Sequence, residues 1–115
     1  MRAGCTSIEI CSDRYQGGVT PSFGLVQEVV KRYKHQVDIH VLIRPRPGDF
    51  AYSNDEFEVI IRDIIAFKGL EVDGVVVGLL LPNGEIDIIR MQVIRKLTSG
   101  IRLTFHRAFD VCGEG

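Results

Sequence analysis

Tryptophan is absent from this 115-residue chain, and no run of about 18 apolar residues occurs in it. The second absence excludes a helical membrane span. Charge of one sign is also lacking. Fourteen Lys and Arg face 15 Asp and Glu, a net charge of -1, which gives no electrostatic case for nucleic acid or an anionic membrane as partner. Cysteine is scarce: Cys5, Cys11 and Cys112 are an odd number at scattered spacing, with no C-x-x-C. That is no disulfide framework, and it favours a reducing, intracellular setting. Met1 to Cys5 leads into mixed sequence without an apolar core, so neither a signal peptide nor a lipoprotein anchor at Ala3-Gly4-Cys5 is expected. Neither G-x-G-x-x-G nor G-x-x-x-x-G-K-[ST] occurs, which removes the usual phosphate-cradling loops.

What is present is alternation. Ser7 to Cys11 alternates polar and apolar residues and predicts a strand. Thr20 followed by Pro21 predicts a helix start, with Thr20 as N-cap and Pro21 at the first helical position. Leu25, Val26, Val29, Val30 and Tyr33 then recur at helical spacing to about Lys34. Val37 to Ile43 predicts a second strand, stopped by Pro45 and Pro47. Ser53 with Glu56 is a capping-box pattern opening a second helix, with Gly69 as its expected C-cap. Val72 to Leu81 is a near-continuous apolar run that suits a strand buried on both faces. Ile88, Met91, Ile94 and Leu97 predict a third helix ending near Gly100, and Ile101 to Phe105 a fourth strand.

The order β-α-β-α-β-α-β, about 30 residues per unit, implies one domain over residues 1–115 built on a parallel sheet with right-handed crossovers. A small doubly wound sheet and half of a (β/α)8 barrel both fit. Strand parity leans toward the barrel. Glu9 and Cys11 share one strand face; so do His40, Leu42 and Arg44, and Thr104 and His106. One apolar face per strand fits a helix-covered exterior, and the mixed faces would converge on a lumen.

Candidate chemistry falls at the strand C-termini, where parallel α/β folds place their sites. Arg44 and Arg46 flank Pro45 and suit a phosphate or carboxylate ligand, which guanidinium binds bidentately. The competing reading pairs them with Asp13, Asp49, Asp110 or Glu9 as a brace. His106, Arg107 and Asp110 are the catalytic candidates, His106 as general base or ligand. His40 lies deeper on its strand and reads as structural, and His35 sits at a helix end. The Cys11 thiolate suits a soft metal such as copper(I). Cys5, roughly 20 Å away along an extended strand, cannot readily share that metal, whereas Cys112 follows the fourth strand and can approach across the mouth.

Five strings then carry a resemblance: Ile8 to Cys11, Gly17 to Ser22, Ile43 to Ser53, Asp73 to Gly78, and Thr104 to Asp110. Together, in this order, they resemble the CutC family, the copper homeostasis protein group. The resemblance implies a (β/α)8 barrel, a cytoplasmic protein (in animals also nuclear), a role in copper handling, and homo-oligomers of the full-length protein. It implies Cys11 as a copper(I) ligand. Where the family has an Asp-Arg pair before this strand, Thr6-Ser7 stand here, and Cys5 occupies a small-residue position. It also implies a partial chain, holding about four of eight strands, which is expected not to be a stable monomer because two strand edges stay open. Three functions remain: copper(I) binding, an enzyme acting on a small anionic metabolite, and a fragment without independent activity.

Overall fold

The computed structural model describes residues 6–13 and 17–105. They form β1 (Thr6–Ile10), α1 (Phe23–Tyr33), β2 (Val37–Ile43), α2 (Asn54–Gly69), β3 (Gly74–Val77), α3 (Ile88–Leu97) and β4 (Arg102–Phe105). The four strands make one sheet in the order β1-β2-β3-β4, every pair parallel. Sheet order following chain order is the signature of a sheet curling in one direction, as a barrel does, rather than one doubling back at a switch point.

Register assigns the two faces. Ile10, Val41, Val75 and Leu103 lie in line, as do Ile43, Val77 and Phe105. These residues face the helices. Val41, Val75 and Val77 are fully buried there with Val26 of α1, Ile60, Ile64 and Phe67 of α2, and Ile94 of α3. Each such side chain removed from water stabilises the fold by about 1.5–3 kcal/mol. The opposite face carries Glu9, His40, Gly74 and Arg102 in one register line. The parity read from the strands is therefore the real division between exterior and lumen. The apolar run around residue 76 is buried on both faces as expected, but only Gly74–Val77 pairs as strand. Leu80 instead makes an isolated antiparallel bridge to Ile86, because the turn at Pro82-Asn83-Gly84 folds the chain back.

The helices start on side-chain caps. The Ser53 Oγ accepts from Glu56 N–H at 3.1 Å while Glu56 Oε1 accepts from Ser53 N–H at 2.8 Å, which is the expected capping box. Asp87 Oδ1 accepts from Arg90 N–H at 3.2 Å and opens α3. For α1 the expectation fails by two residues. Ser22, not Thr20, is the N-cap, accepting from Leu25 N–H at 3.1 Å. Thr20 is drawn away because its hydroxyl accepts from the Arg44 N–H at 2.7 Å. At the end of α2, Gly69 is still helical and Leu70 is the C-cap. Asp73 ties down the amino ends of three strands. Its carboxylate accepts from Ile39 N–H at 2.7 Å, its own N–H donates to Ile39 O at 2.8 Å, and its carbonyl accepts from Arg102 N–H at 3.0 Å.

Candidate functional site

The carboxyl ends of β1 and β2 are held together by Arg44. Its side chain is 6% exposed. One terminal nitrogen donates to Gly18 O at 2.9 Å, in the loop after β1, and the other donates to Gly48 O at 2.7 Å, in the loop after β2. The guanidinium lies 4.8 Å from the Phe50 ring centroid, a contact that favours a desolvated cation. The backbone repeats the link, since Thr20 N–H donates to Arg44 O at 2.9 Å. Arg44 thus staples two loops of the mouth.

The loop that receives it is shaped by glycine. Ser12 and Val19 exchange two backbone bonds, and Gly18 N–H donates to Asp13 O at 3.0 Å. Gly17 and Gly18 have φ of 86° and 87°, in the region that favours glycine. A Cβ on Gly17 would stand 2.7 Å from an Arg44 nitrogen. One on Gly18 would stand 2.9 Å from Leu42 Cδ2 and 3.3 Å from Cys11 Sγ. The absence of those carbons lets Arg44 reach its acceptor and leaves Cys11, half-buried just past β1, a close neighbour with no side chain.

Arg46 behaves differently. Its Nε donates to Glu56 Oε2 at 2.7 Å, and its terminal nitrogens donate to Glu56 Oε1, Asp49 Oδ1, and the carbonyls of Pro47, Asp49 and Ala51. The guanidinium also covers the Tyr52 ring at 4.9 Å. Every N–H of the group meets a protein oxygen, so its geometry is that of a brace between the β2–α2 loop and the first turn of α2. The bond from Arg46 holds the Glu56 carboxyl below its usual range, assisted by the Ser53 N–H, and the same bond raises Arg46.

Tyr52 closes the cluster. It is 6% exposed, and its hydroxyl has no hydrogen bond of good geometry among the described residues. Burial pushes its pKa up to about 12, against the opposing pull of the Arg44 and Arg46 charges.

Of the residues singled out from sequence, Cys11, Arg44 and Arg46 all stand at this end of the sheet. Asp49 is the expected partner of Arg46. Glu56 was missed as its principal partner, since its Ser-x-x-Glu spacing explains it fully as a cap. Tyr52 was missed because nothing in sequence says that a loop tyrosine is buried. His40 lies on the lumen face, half-buried, with its imidazole over Gly74, where a Cβ would meet Nδ1 at 2.6 Å. It helps line a hollow of about 320 Å³ with Ser7, Glu9, Val76, Arg102 and Thr104. His106, Arg107, Asp110, Cys5 and Cys112 lie outside the described residues. Among the described residues there is no group of three His, Cys, Asp or Glu side chains fit to hold a metal ion, and no helix is long and apolar enough to cross a membrane.

A parallel sheet in chain order, helices on one face, a polar register line on the other and charged loops at the strand carboxyl ends define four strands and three helices of a (β/α)8-type barrel, with the candidate site at its mouth. Within that class the chain belongs to the CutC family, whose sequence profile it matches over residues 1–115. It is 44% identical over 116 residues to a CutC-named protein of Vibrio vulnificus strain YJ016, covering 99% of this chain and 46% of the relative. A CutC-named protein of Proteus mirabilis is 40% identical over 111 residues, covering 96% of this chain and 44% of the relative. A crystal structure described as a candidate copper homeostasis protein CutC of Streptococcus agalactiae superposes with a TM-score of 0.86 at 36% identity. That match covers 92% of this chain and 51% of the other. The chain thus spans about half the length of the relatives it matches.

Proposed function

We propose that this chain serves in copper handling and that the Cys11 thiolate is a copper(I) ligand at the barrel mouth. The observation carrying this is the placement of Cys11. It follows β1 directly, is half-buried rather than sealed, and abuts Gly18, which presents no side chain to its sulfur. Copper(I) prefers thiolate to nitrogen or oxygen donors. A thiol in this role stays reduced in the cytoplasm, which is where we place the protein. A copper(I) competition titration tests the reading. Cys11→Ser is expected to abolish tight binding and Cys5→Ser to leave it unchanged; equal affinity in wild type and Cys11→Ser overturns it.

A second reading, an enzyme or binding site for a small phosphate- or carboxylate-bearing metabolite, draws on one observation. The buried Tyr52 hydroxyl beside Arg44 is without a well-aligned partner among the described residues, and a buried donor of this kind is costly to leave unmet. The hydroxyl is enclosed in this structure, so a ligand oxygen would meet it only with movement of the side chains around it. Arg46 has no N–H to offer such a ligand. Titration with inorganic phosphate, followed by tyrosine fluorescence, is expected to saturate in wild type and to weaken in Tyr52→Phe. Absence of saturation in wild type removes this reading without touching the first.

A further inference from the structure

Residues 17–20 form a strap at the mouth, and its ties to β2 run to a single residue. Arg44 donates a terminal N–H to Gly18 O at 2.9 Å. Its backbone N–H donates to Thr20 Oγ1 at 2.7 Å, and its carbonyl accepts from Thr20 N–H at 2.9 Å. The other end of the guanidinium is anchored on Gly48 O at 2.7 Å. There is no slack in this arrangement, since a Cβ on Gly17 would already stand 2.7 Å from an Arg44 nitrogen.

Register shows what the strap covers. Glu9 lies opposite His40. Cys11 and Leu42, each two residues further on, continue the same lumen-side face. Gly18 lies over both, because a Cβ there would stand 2.9 Å from Leu42 Cδ2 and 3.3 Å from Cys11 Sγ. Gly18 and Leu42 are buried, and Cys11 is half-buried. The strap backbone is therefore one wall of the space around the thiol, and Arg44 fixes where that wall stands. Lysine could not replace it. A single ammonium lacks the planar fork that reaches carbonyls of two loops at once.

We propose that Arg44 is a positioning residue for the Cys11 thiol: it holds the Gly17–Thr20 strap beside the sulfur and so sets the rate at which a ligand reaches it. For copper(I) this rests on the reading of Cys11 proposed above; for the thiol itself it does not.

Alkylation of Cys11 by iodoacetamide tests this, in the 115-residue chain carrying Cys5→Ser and Cys112→Ser so that one thiol remains. Arg44→Lys is expected to react roughly ten- to a hundredfold faster than this parent, because a charge-assisted tie is lost. Thr20→Val leaves Arg44 in place and removes one neutral acceptor, and should react roughly three- to tenfold faster. Only the thiolate reacts, so rates are followed across pH to a plateau. Arg44→Lys keeps the positive charge, and the plateau should rise while the midpoint stays. The acceleration should be nearly independent of urea below the unfolding transition, which marks local opening. An unchanged plateau in Arg44→Lys, a change confined to the pH midpoint, or an acceleration that climbs with urea as global unfolding does overturns the proposal. Removal of bound copper(I) by a competing chelator should quicken in Arg44→Lys as alkylation does. Faster alkylation in a chain that binds no copper(I) upholds the strap and removes the copper reading alone.

Discussion

Replacing Gly18 with alanine separates two costs that the mouth imposes, because two other glycines carry one cost each. Gly84 has φ of 93° and nothing within 4 Å of where a Cβ would stand, so Gly84→Ala meets backbone strain alone. The left-handed conformation costs an L-residue about 1–2 kcal/mol, offset by about 0.4–1 kcal/mol from the lost freedom of the unfolded chain. Gly74 is not in that region, yet its Cβ would stand 2.7 Å from the Arg102 carbonyl and 2.6 Å from His40 Nδ1. The carbonyl belongs to a paired strand and cannot swing aside, so Gly74→Ala meets overpacking alone, about 1–3 kcal/mol. Gly18 meets both, with φ of 87° and a Cβ 2.9 Å from Leu42 Cδ2. With the same offset its sum is about 1–4.6 kcal/mol. Urea unfolding of the three variants beside wild type reads the order directly: Gly84→Ala least destabilised, Gly18→Ala most. If Gly18→Ala is no worse than Gly84→Ala, the close packing of Gly18 against Leu42 and Cys11 is wrong, and with it the geometry of the mouth.

Further perturbations probe other parts of the fold. Ser53→Ala removes the N-cap acceptor of α2 and is expected to cost about 1 kcal/mol by urea unfolding; no loss would mean that the capping box contributes nothing. Asp63 is raised above its usual value of 3.8 by burial. Its ionised form is therefore disfavoured in the folded state, and this penalty is present at neutral pH and disappears as pH falls below the unfolded value. Asp63→Asn should raise the melting temperature at pH 7 but not at pH 3, and an equal effect at both would contradict burial as the cause. For Tyr52, the folded phenol stays neutral to about pH 12 whereas the unfolded one ionises near 10. Stability should fall between those values, by an amount on the order of 3 kcal/mol. Tyr52→Phe should show a shallower alkaline loss than wild type, and identical profiles would refute burial of the hydroxyl.

Much of this was legible in the sequence for identifiable reasons. The apolar period of 3.6 around Ile60 and Ile64 and the period of 2 around Ile39 are enforced by burial on one face, so they are written into the residues. The Ser53–Glu56 cap is local, and local bonds are the easiest to read. The start of α1 was misplaced because Thr20 is claimed by Arg44, 24 residues further on, and no local pattern announces such a bond. The same holds for Arg46, where spacing shows the nearby Asp49 but conceals Glu56, which is ten residues away in sequence and reaches it only after the loop folds back. Strand parity proved the most informative signal. It assigns Glu9 and His40 to a common interior face, and the register aligns them.

The central functional claim is that the thiol past β1 binds copper. X-ray absorption at the copper edge, on the chain loaded with one equivalent of copper(I), tests it most directly. Sulfur is predicted in the first coordination sphere for wild type and for Cys5→Ser, with its loss or marked reduction in Cys11→Ser. A copper environment of nitrogen and oxygen alone in wild type, or a sulfur signal unchanged in Cys11→Ser, would contradict it.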